Sequence, residues 1–366
     1  MIRILCIVSS MNAGGAETFL MKIYRRLDKS AYQMDFCVNT EEEGFYDAEI
    51  ISMGGRIYHI PSKSKDIFKF SKQLHDIVCD NGYNNVMRIT SNAMGFYDLH
   101  VAKKAGAMNC IARSSNSSDG GSLKTKSAHL LGKLLYKKSV DIEIAPSDLA
   151  AIYTFGEKDY RSGKVNILHN GVDFNEYKFS GEARKKMRAE LEIDDGCFLM
   201  GHIGRFSAQK NHGFLIDVFR GVLDRYPNTR LLLVGEGKLE DEIKNKCKKY
   251  GIDERVIFAG VRKDIPNILS AMDLFVFPSL YEGMPNVLIE AQASGLKCLI
   301  SDRITKDVLI SDFVDMLSVD DPAAWVDETV SCISSHDSAT DLREKVALPS
   351  EYDIKNVSEI FVSYLV

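Results

Sequence analysis

The chain has 366 residues, of which 45% are hydrophobic and 27% are charged, and its formal net charge is −5. This composition is that of a globular protein and excludes a disordered, collagen-like or coiled-coil chain. At roughly 100–200 residues per domain, the length predicts about two domains. The negative charge disfavours nucleic acid as a partner. Because no apolar run approaches the roughly 20 residues of a membrane span, and the N-terminal apolar stretch is too short for a signal peptide, we expect a cytoplasmic protein.

Short β-rich runs alternate with amphipathic stretches of helical length. The first series of predicted strands lies at Ile2–Val8, Met34–Val38, Arg56–Ile60, Asn109–Ala112, Ile142–Ala145 and Val165–Leu168. The second series lies at Phe198–Ile203, Arg230–Val234, Val256–Ala259, Leu274–Phe277 and Lys297–Ser301. Strands that alternate with helices predict parallel sheets covered on both faces. The two series therefore predict an α/β protein with two doubly wound, Rossmann-like domains.

The Asn170-Gly171 pair marks a turn between the two series and is the predicted domain boundary. We predict one domain over residues 1–170, a second over 171–350 and a short amphipathic helix over 351–366. Ligands of open α/β sheets bind beyond the carboxyl ends of the strands. If two such domains face each other, the central cleft between them is the expected site.

A glycine pair, Gly14-Gly15, follows the first strand and precedes a predicted helix. Paired glycines at such a turn allow a ligand to approach the backbone closely. The segment is neither a Gly-x-Gly-x-x-Gly fingerprint nor a Walker A loop, which disfavours a standard dinucleotide enzyme or a P-loop ATPase. A tight turn without a ligand is the alternative.

A basic amphipathic helix is predicted between residues 121 and 138, a stretch without any acidic residue. Its lysines include Lys124, Lys126, Lys133 and Lys137, and its leucines are Leu130, Leu131, Leu134 and Leu135. At 100° per residue, the last three of those lysines fall on one edge of the leucine face. Such a helix can lie on an anionic membrane surface, which we predict as a partner. The alternative is a surface helix whose leucines pack on the protein's own core.

Two cations, Arg205 and Lys210, follow the first strand of the second series, and Gly204 precedes them. Cations beside a glycine at the carboxyl end of a strand suit a diphosphate. An ordinary pair of surface charges is the alternative.

Two carboxylates, Glu282 and Glu290, are separated by seven residues after the strand Leu274–Phe277. Pro285 suits the first turn of a helix, so the amides of the next three residues are predicted to face an anion. One carboxylate would then lie at each end of the bound anion. Because a carboxylate beside a diphosphate is repelled unless it binds sugar hydroxyls, this spacing suggests a nucleotide attached to a sugar.

Together, the Glu-x7-Glu segment, the Gly-Arg-Phe…Lys-Asn segment and the Gly-Gly pair resemble the retaining nucleotide-sugar glycosyltransferases of GT-B fold, family 4. The likeness covers nearly the whole chain and is to bacterial enzymes that build capsular or exopolysaccharide repeat units. It implies an acceptor-binding first domain, a donor-binding second domain and a last helix that packs back toward the first. It also implies transfer of a hexose, with retained configuration, from a UDP-sugar to a hydroxyl of a lipid-linked saccharide. The expected enzyme is peripheral on the inner face of the cell membrane and needs no metal or cofactor.

The resemblance assigns roles to the matching residues of this chain. Glu282, Arg205 and Lys210 form the expected catalytic set, in which the two cations clamp the diphosphate. The expected donor-binding residues are Gly15, Arg205, Lys210, Val261, Arg262, Gly283, Met284, Asn286, Val287 and Glu290. Among these, Glu290 would hold the ribose hydroxyls, while Val261 and Arg262 would border the base. The expected acceptor-side residues are Gly14, Arg113 and Asn116.

One segment departs from the family's pattern. Relatives often carry His-Ser-His-Asn where this chain reads Ala112–Ser117, so Arg113 stands in place of a histidine that faces the acceptor. This departure motivates an alternative function, a catalytically weak GT-B scaffold that assists a partner transferase. A sugar-nucleotide epimerase of the same fold fits less well, because the Glu-x7-Glu segment is a transferase feature. We interpret His169 and His202 as structural.

Overall fold

The computed structural model describes the chain except for residues 13, 116–122, 283, 336–342 and 344–345. The described chain divides into two compact units. The first unit comprises Met1–Gly171 together with Ser350–Val366, and the second comprises Val172–Pro349. The chain therefore leaves the first unit directly after the Asn170-Gly171 turn and returns to it near residue 350.

The first unit contains a seven-stranded parallel sheet of order β3-β2-β1-β4-β5-β6-β7. Its strands are β1 Ile2–Val8, β2 Tyr32–Val38, β3 Ile57–His59, β4 Asn85–Thr90, β5 Asn109–Ser114, β6 Ile142–Ala145 and β7 Val165–Ile167. Its helices are α1 Gly15–Arg26, α2 Asp47–Ser52, α3 Ile67–Asn81, α4 Phe96–Lys104, α5 Leu123–Tyr136, α6 Asp148–Phe155, α7 Glu157–Arg161 and the C-terminal α15 Ile354–Ser363. Strand β4 was absent from the sequence prediction, since Asn85 and Arg88 interrupt its apolar run.

Both faces of this sheet are buried. Side chains alternate between the two faces of a strand, so Ile4 and Cys6 of β1 join one hydrophobic cluster while Leu5 and Ile7 join the other. Burial on two sides explains why β1 is a continuous apolar run in the sequence.

Helix α15 is part of the first unit's core. Its residues Ile354, Val357 and Phe361 are buried in the same cluster as Phe19 of α1. The end of the chain is also held: Asn85 Nδ2 donates to the carbonyl of Val366 at 2.7 Å, and the Val366 N–H donates to Asn85 Oδ1 at 3.0 Å. The last segment is thus bound to strand β4, which lies far from it in sequence.

The second unit contains a six-stranded parallel sheet of order β10-β9-β8-β11-β12-β13. Its strands are β8 Phe198–Ile203, β9 Thr229–Val234, β10 Val256–Phe258, β11 Leu274–Phe277, β12 Cys298–Ser301 and β13 Val314–Leu317. Its helices are α8 Phe174–Tyr177, α9 Gly181–Glu190, α10 His212–Leu223, α11 Glu240–Tyr250, α12 Ile265–Ala271, α13 Asn286–Ala293 and α14 Pro322–Ser334. The edge strand β13, which is only half-buried, was missed in the sequence.

Candidate functional site

The loops that follow β8 and β11 are joined at the carboxyl edge of the second sheet. Because these two strands are neighbours in a parallel sheet, their loops emerge side by side. The N–H of Leu280 donates to the carbonyl of Gln209 at 2.8 Å, and Gln209 Nε2 donates to the carbonyl of Tyr281 at 2.8 Å. Two segments that are about seventy residues apart in the chain thus form one surface.

Lys210 and Glu282 meet on this surface. Lys210 Nζ lies 2.7 Å from Glu282 Oε1, and the two side chains are only 16% and 9% exposed. The ammonium also lies 4.5 Å from the centroid of the Phe277 ring. A lysine and a carboxylate that the sequence placed in the same site therefore form a shielded ion pair, and an anion that binds Lys210 must compete with Glu282.

Arg205 differs from Lys210 in its surroundings. Its side chain is exposed, and nothing in the described part of the chain forms a hydrogen bond or ion pair with it. The neighbouring backbone is tightly packed: Gly235 has a φ of +135°, and a Cβ at this position would lie 2.3 Å from the carbonyl oxygen of Gly204. The loops after β8 and β9 therefore approach closely and hold the base of Arg205, while its guanidinium is open to a ligand.

Helix α13 begins immediately after Pro285, which takes the N-cap position rather than a place in the first turn. The amide of Leu288 donates to the Pro285 carbonyl at 3.1 Å, so the prediction that it faces an anion is wrong. Asn286 lies at the start of the helix, and its Oδ1 is buried without a hydrogen-bond partner among the described residues. Glu290 lies one turn further along, and its side chain is buried. Gly283 lies outside the described residues.

The two residues expected to border a base have different surroundings. Arg262 donates to Asp264 at 2.7 and 2.8 Å and to Glu190 at 2.8 Å. These two carboxylates raise the pKa of Arg262 above its ordinary range. The guanidinium is therefore committed to internal ion pairs, whereas Val261 is 66% exposed and presents an apolar surface.

A buried imidazole pair, His202 and His212, lies near Lys210, and neither histidine was among the predicted site residues. His202 is the next-to-last residue of β8, and His212 is the first residue of α10. Their ring centroids are 4.7 Å apart. Burial lowers the pKa of His212 to about 4 and places that of His202 well below its usual value, and the charge of Lys210 adds to both effects. Both rings are therefore neutral. Their spacing of ten residues across a strand end is the signal that could have found them.

In the first unit, α1 begins at Gly15 with Gly14 as its N-cap. A Cβ at Gly14 would lie 2.4 Å from Glu17 Oε2, whereas a Cβ at Gly15 would meet nothing within 4 Å. Gly14 thus leaves room for the Glu17 carboxylate to fold back over the start of its own helix, where the helix dipole favours negative charge. Burial raises the pKa of Glu17. Glu17 was not among the predicted site residues, although it stands two residues after the glycine pair.

Arg113 lies in the interior of the first unit. Its guanidinium carbon is 3.6 Å from the centroid of the Phe19 ring, and NH2 donates to Asn170 Oδ1 at 2.7 Å and to the Leu168 carbonyl at 3.3 Å. Burial lowers the pKa of Arg113 to about 9. These contacts tie β5 to the Asn170-Gly171 turn. Asn116 lies outside the described residues.

The leucines of α5 do not pack on the core. Their exposed fractions are 59%, 49%, 73% and 55% for Leu130, Leu131, Leu134 and Leu135. The lysines differ from the prediction: Lys133 donates to the Tyr153 carbonyl at 2.8 Å, and Lys137 donates to the Phe155 carbonyl and pairs with Asp159. Lys126 is exposed, while the side chain of Lys124 is outside the described part. No helix among the described residues is long and apolar enough to cross a bilayer.

Comparison with known proteins identifies the family. A family model described as "Glycosyl transferases group 1" matches residues 198–335, which include β8, β11 and α13. EpsF of Bacillus subtilis (strain 168), a glycosyltransferase by its name, is 34% identical over 334 residues that cover 90% of this chain and 87% of EpsF. The chain belongs to the group 1 glycosyltransferases.

One solved structure is similar to this group 1 glycosyltransferase over nearly its whole length, and one further relative is similar over a shorter region. The solved structure of Anabaena Alr3699/HepE in complex with UDP and glucose matches with a TM-score of 0.77 and 18% identity, over 99% of each chain. This likeness confirms the predicted GT-B fold class. A UDP-Gal:α-D-GlcNAc-diphosphoundecaprenol α-1,3-galactosyltransferase of Escherichia coli is 32% identical over 158 residues, which are 42% of this chain and 40% of that enzyme.

Proposed function

We propose that this chain is a retaining hexosyltransferase of family 4. It moves a hexose from a UDP-sugar to a hydroxyl of a lipid-linked saccharide during synthesis of a capsular or exopolysaccharide. The observation that carries the proposal is the joined surface at the carboxyl edge of the second sheet, where Arg205, Lys210 and Glu282 lie beside the start of α13. Two cations and a carboxylate at one strand edge match the diphosphate and the sugar hydroxyls of a nucleotide sugar.

In this proposal the two cations bind the donor's diphosphate. Negative charge grows on the diphosphate as the bond between it and the sugar's anomeric carbon breaks, and prearranged cations stabilise that charge. Lys210 is well suited because its side chain is only 16% exposed, which strengthens its field relative to a fully solvated ammonium. Arg205 adds a planar guanidinium that can bind two phosphate oxygens at once. Such cations replace the metal ion that other transferases use.

The acceptor then reacts on the face from which the diphosphate departs. A new bond forms between the acceptor oxygen and the anomeric carbon as the bond to the diphosphate breaks, and the acceptor's proton passes to a diphosphate oxygen. The configuration is therefore retained without a covalent enzyme intermediate. Glu282 binds the sugar hydroxyls in this scheme, and Glu290 accepts hydrogen bonds from the ribose hydroxyls.

The choice of donor and acceptor is supported by relatives rather than by side chains. The E. coli relative uses UDP-Gal and an acceptor linked to diphosphoundecaprenol, according to its name. The HepE structure was solved with UDP and glucose. The exposed leucines of α5 fit an enzyme that works at a membrane, so we propose that the protein is cytoplasmic and peripheral on the inner face of the cell membrane.

The test is binding followed by transfer. Titration calorimetry with UDP, GDP and ADP should give binding for UDP. Glu290→Ala should weaken binding of both UDP and uridine by about tenfold or more, since a hydrogen bond to a charged group contributes roughly 1.5–3 kcal/mol. UDP-hexoses are then incubated with lipid-diphosphate-linked GlcNAc. Transfer with retention would support the enzyme, whereas no binding of any nucleotide would favour the scaffold that assists a partner transferase.

A further inference from the structure

The buried imidazole pair beneath Lys210 is not used by the mechanism above. His202 is 0% exposed and His212 is 2% exposed. His212 stacks on Phe206 with the ring centroids 4.3 Å apart, and His202 stacks on Phe277 at 5.5 Å. Phe277 is also the ring over which the Lys210 ammonium lies. The two imidazoles therefore belong to the buried layer that packs under Lys210, with Phe277 in contact with both His202 and Lys210.

The hydrogen bonding of His202 defines its tautomer. Its Nδ1 lies 2.8 Å from the carbonyl oxygen of Val276, and because a carbonyl only accepts, Nδ1 carries the hydrogen. Burial lowers the pKa of His202 well below its ordinary value, so the ring is neutral. Nε2 consequently presents a lone pair, and this buried atom has no hydrogen-bond partner among the described residues. Buried polar atoms without partners are uncommon and call for an explanation.

His202 Nε2 and the end of the Lys210 side chain both lie close to Gly204. A Cβ built on Gly204 would lie 3.0 Å from His202 Nε2 and 3.2 Å from both Cδ and Cε of Lys210. The imidazole nitrogen and the end of the lysine therefore converge on the space that Gly204 leaves empty. Nζ is the next atom along the lysine, and in this structure it is bound to Glu282.

We propose that His202 is a positioning residue for Lys210. Its Nε2 accepts a hydrogen bond from the ammonium when the ion pair between Lys210 and Glu282 opens to admit the donor's diphosphate. The inference rests on the proposed function, since it needs a diphosphate at Lys210.

The physical advantage lies in the charge of the two acceptors. Glu282 orients the ammonium but cancels its charge, whereas a neutral imidazole orients it and leaves the full positive charge for the diphosphate. An ammonium has three N–H donors, so one bond to His202 leaves two for phosphate oxygens. The unmatched nitrogen of His202 is thus the second acceptor for a lysine that changes partner on binding.

The test separates the two nitrogens of His202 by substitution in the full chain. His202→Asn keeps a donor near the position of Nδ1 and removes the Nε2 acceptor, while His202→Gln can place an amide oxygen near the position of Nε2. Titration calorimetry with UDP and with uridine measures each variant. We expect His202→Asn to bind UDP about five- to tenfold more weakly with uridine affinity unchanged, and His202→Gln to bind UDP within about twofold of the unmodified protein.

Two controls distinguish positioning from packing. His212→Asn alters the same buried pair but not the atom beside Gly204, so UDP affinity should remain within about twofold. In a Lys210→Met background, His202→Asn should have no further effect on UDP binding. The melting temperature and circular dichroism of each variant verify that it is folded.

Several results would overturn the inference. These are unchanged UDP affinity in His202→Asn, equal losses of UDP and uridine affinity, or a further loss in the Lys210→Met background. If the unmodified protein binds no UDP, the proposed function fails and the inference fails with it. If it binds UDP but His202→Asn does so equally well, only the inference fails.

Discussion

At the scale of a single residue, Lys210 needs a partner for its shielded charge, and in the proposed function it must also be accessible to a diphosphate. Its side chain is mostly shielded from water, and a shielded ammonium is stable only with a partner. Glu282 supplies that partner at 2.7 Å. The same contact opposes binding of a diphosphate, because the anion must displace the carboxylate or lie beside it. In the proposed function, the ion pair is therefore a resting arrangement that the donor's diphosphate would have to open.

Glu282→Gln tests this competition. The amide keeps the shape of the side chain but no longer neutralises Lys210, so UDP should bind about three- to tenfold more tightly, roughly 1 kcal/mol. Hexose transfer should fall, because the glutamine is a weaker acceptor for the sugar hydroxyls. Calorimetry with UDP and initial rates of transfer measure the two effects.

The control for this variant is Glu254→Gln. Glu254 is exposed and lies on the turn before β10, at the amino ends of the strands and so away from the carboxyl edge that carries Glu282. It makes the same change in net charge and should leave both quantities unchanged. Weaker UDP binding in Glu282→Gln would contradict the competition and would make Glu282 a residue that supports the phosphate site.

At the scale of elements, helix α5 shows two different faces. The lysine edge is directed inward, since Lys133 and Lys137 bind carbonyls at the end of α6. The leucines instead face solvent, and four exposed leucines at helical spacing form an apolar stripe. A contact with a bilayer through α5 would therefore depend more on apolar burial than on these two lysines.

Replacing Leu131 and Leu134 with Gln should reduce binding to anionic liposomes by more than tenfold, because burying a leucine side chain contributes roughly 1.5–3 kcal/mol. Liposome flotation measures the bound fraction. Leu149→Gln is the matched control, since Leu149 is 50% exposed on a different helix, α6. Equal binding of the double variant and the unmodified protein would reduce α5 to an ordinary surface helix.

At the scale of the whole molecule, the first unit is built from both ends of the chain. The last helix supplies Phe361 to the core that α1 and the first strands form, so residues separated by more than three hundred positions stabilise each other. Such contacts contribute to stability only when the whole unit is folded.

Phe361→Ala should lower the free energy of unfolding by about 3–5 kcal/mol, the usual cost of removing a buried phenylalanine. The neighbouring Ile360→Ala should cost far less, since Ile360 is 39% exposed. Urea denaturation of both variants gives the comparison. Similar losses in the two variants would show that α15 does not stabilise the first unit through this face.

Much of the fold followed from local patterns in the sequence. Continuous apolar strands such as β1 and β9 indicate parallel sheets because both of their faces are buried, and turn residues separate them from amphipathic helices. Strand β4 was not predicted because it contains two buried polar residues, Asn85 and Arg88. Their partners come together only on folding: Asn85 binds the carbonyl of Val366, and Arg88 binds the carbonyl of Ile7. Local composition does not reveal such partners.

The sequence by itself determined the fold class and indicated a glycosyltransferase, and it predicted a donor site at Arg205, Lys210, Glu282 and Glu290, because these inferences depend on residue types at fixed spacings. The tertiary structure decided how the side chains are engaged. It showed Lys210 bound to Glu282, Arg262 held by two acids, Lys133 and Lys137 of α5 turned inward, and His202 Nε2 close to the same glycine, Gly204, as the end of Lys210. These facts depend on distances between segments far apart in the chain, and hydrogen bonds and burial are set by those distances rather than by spacing along the sequence.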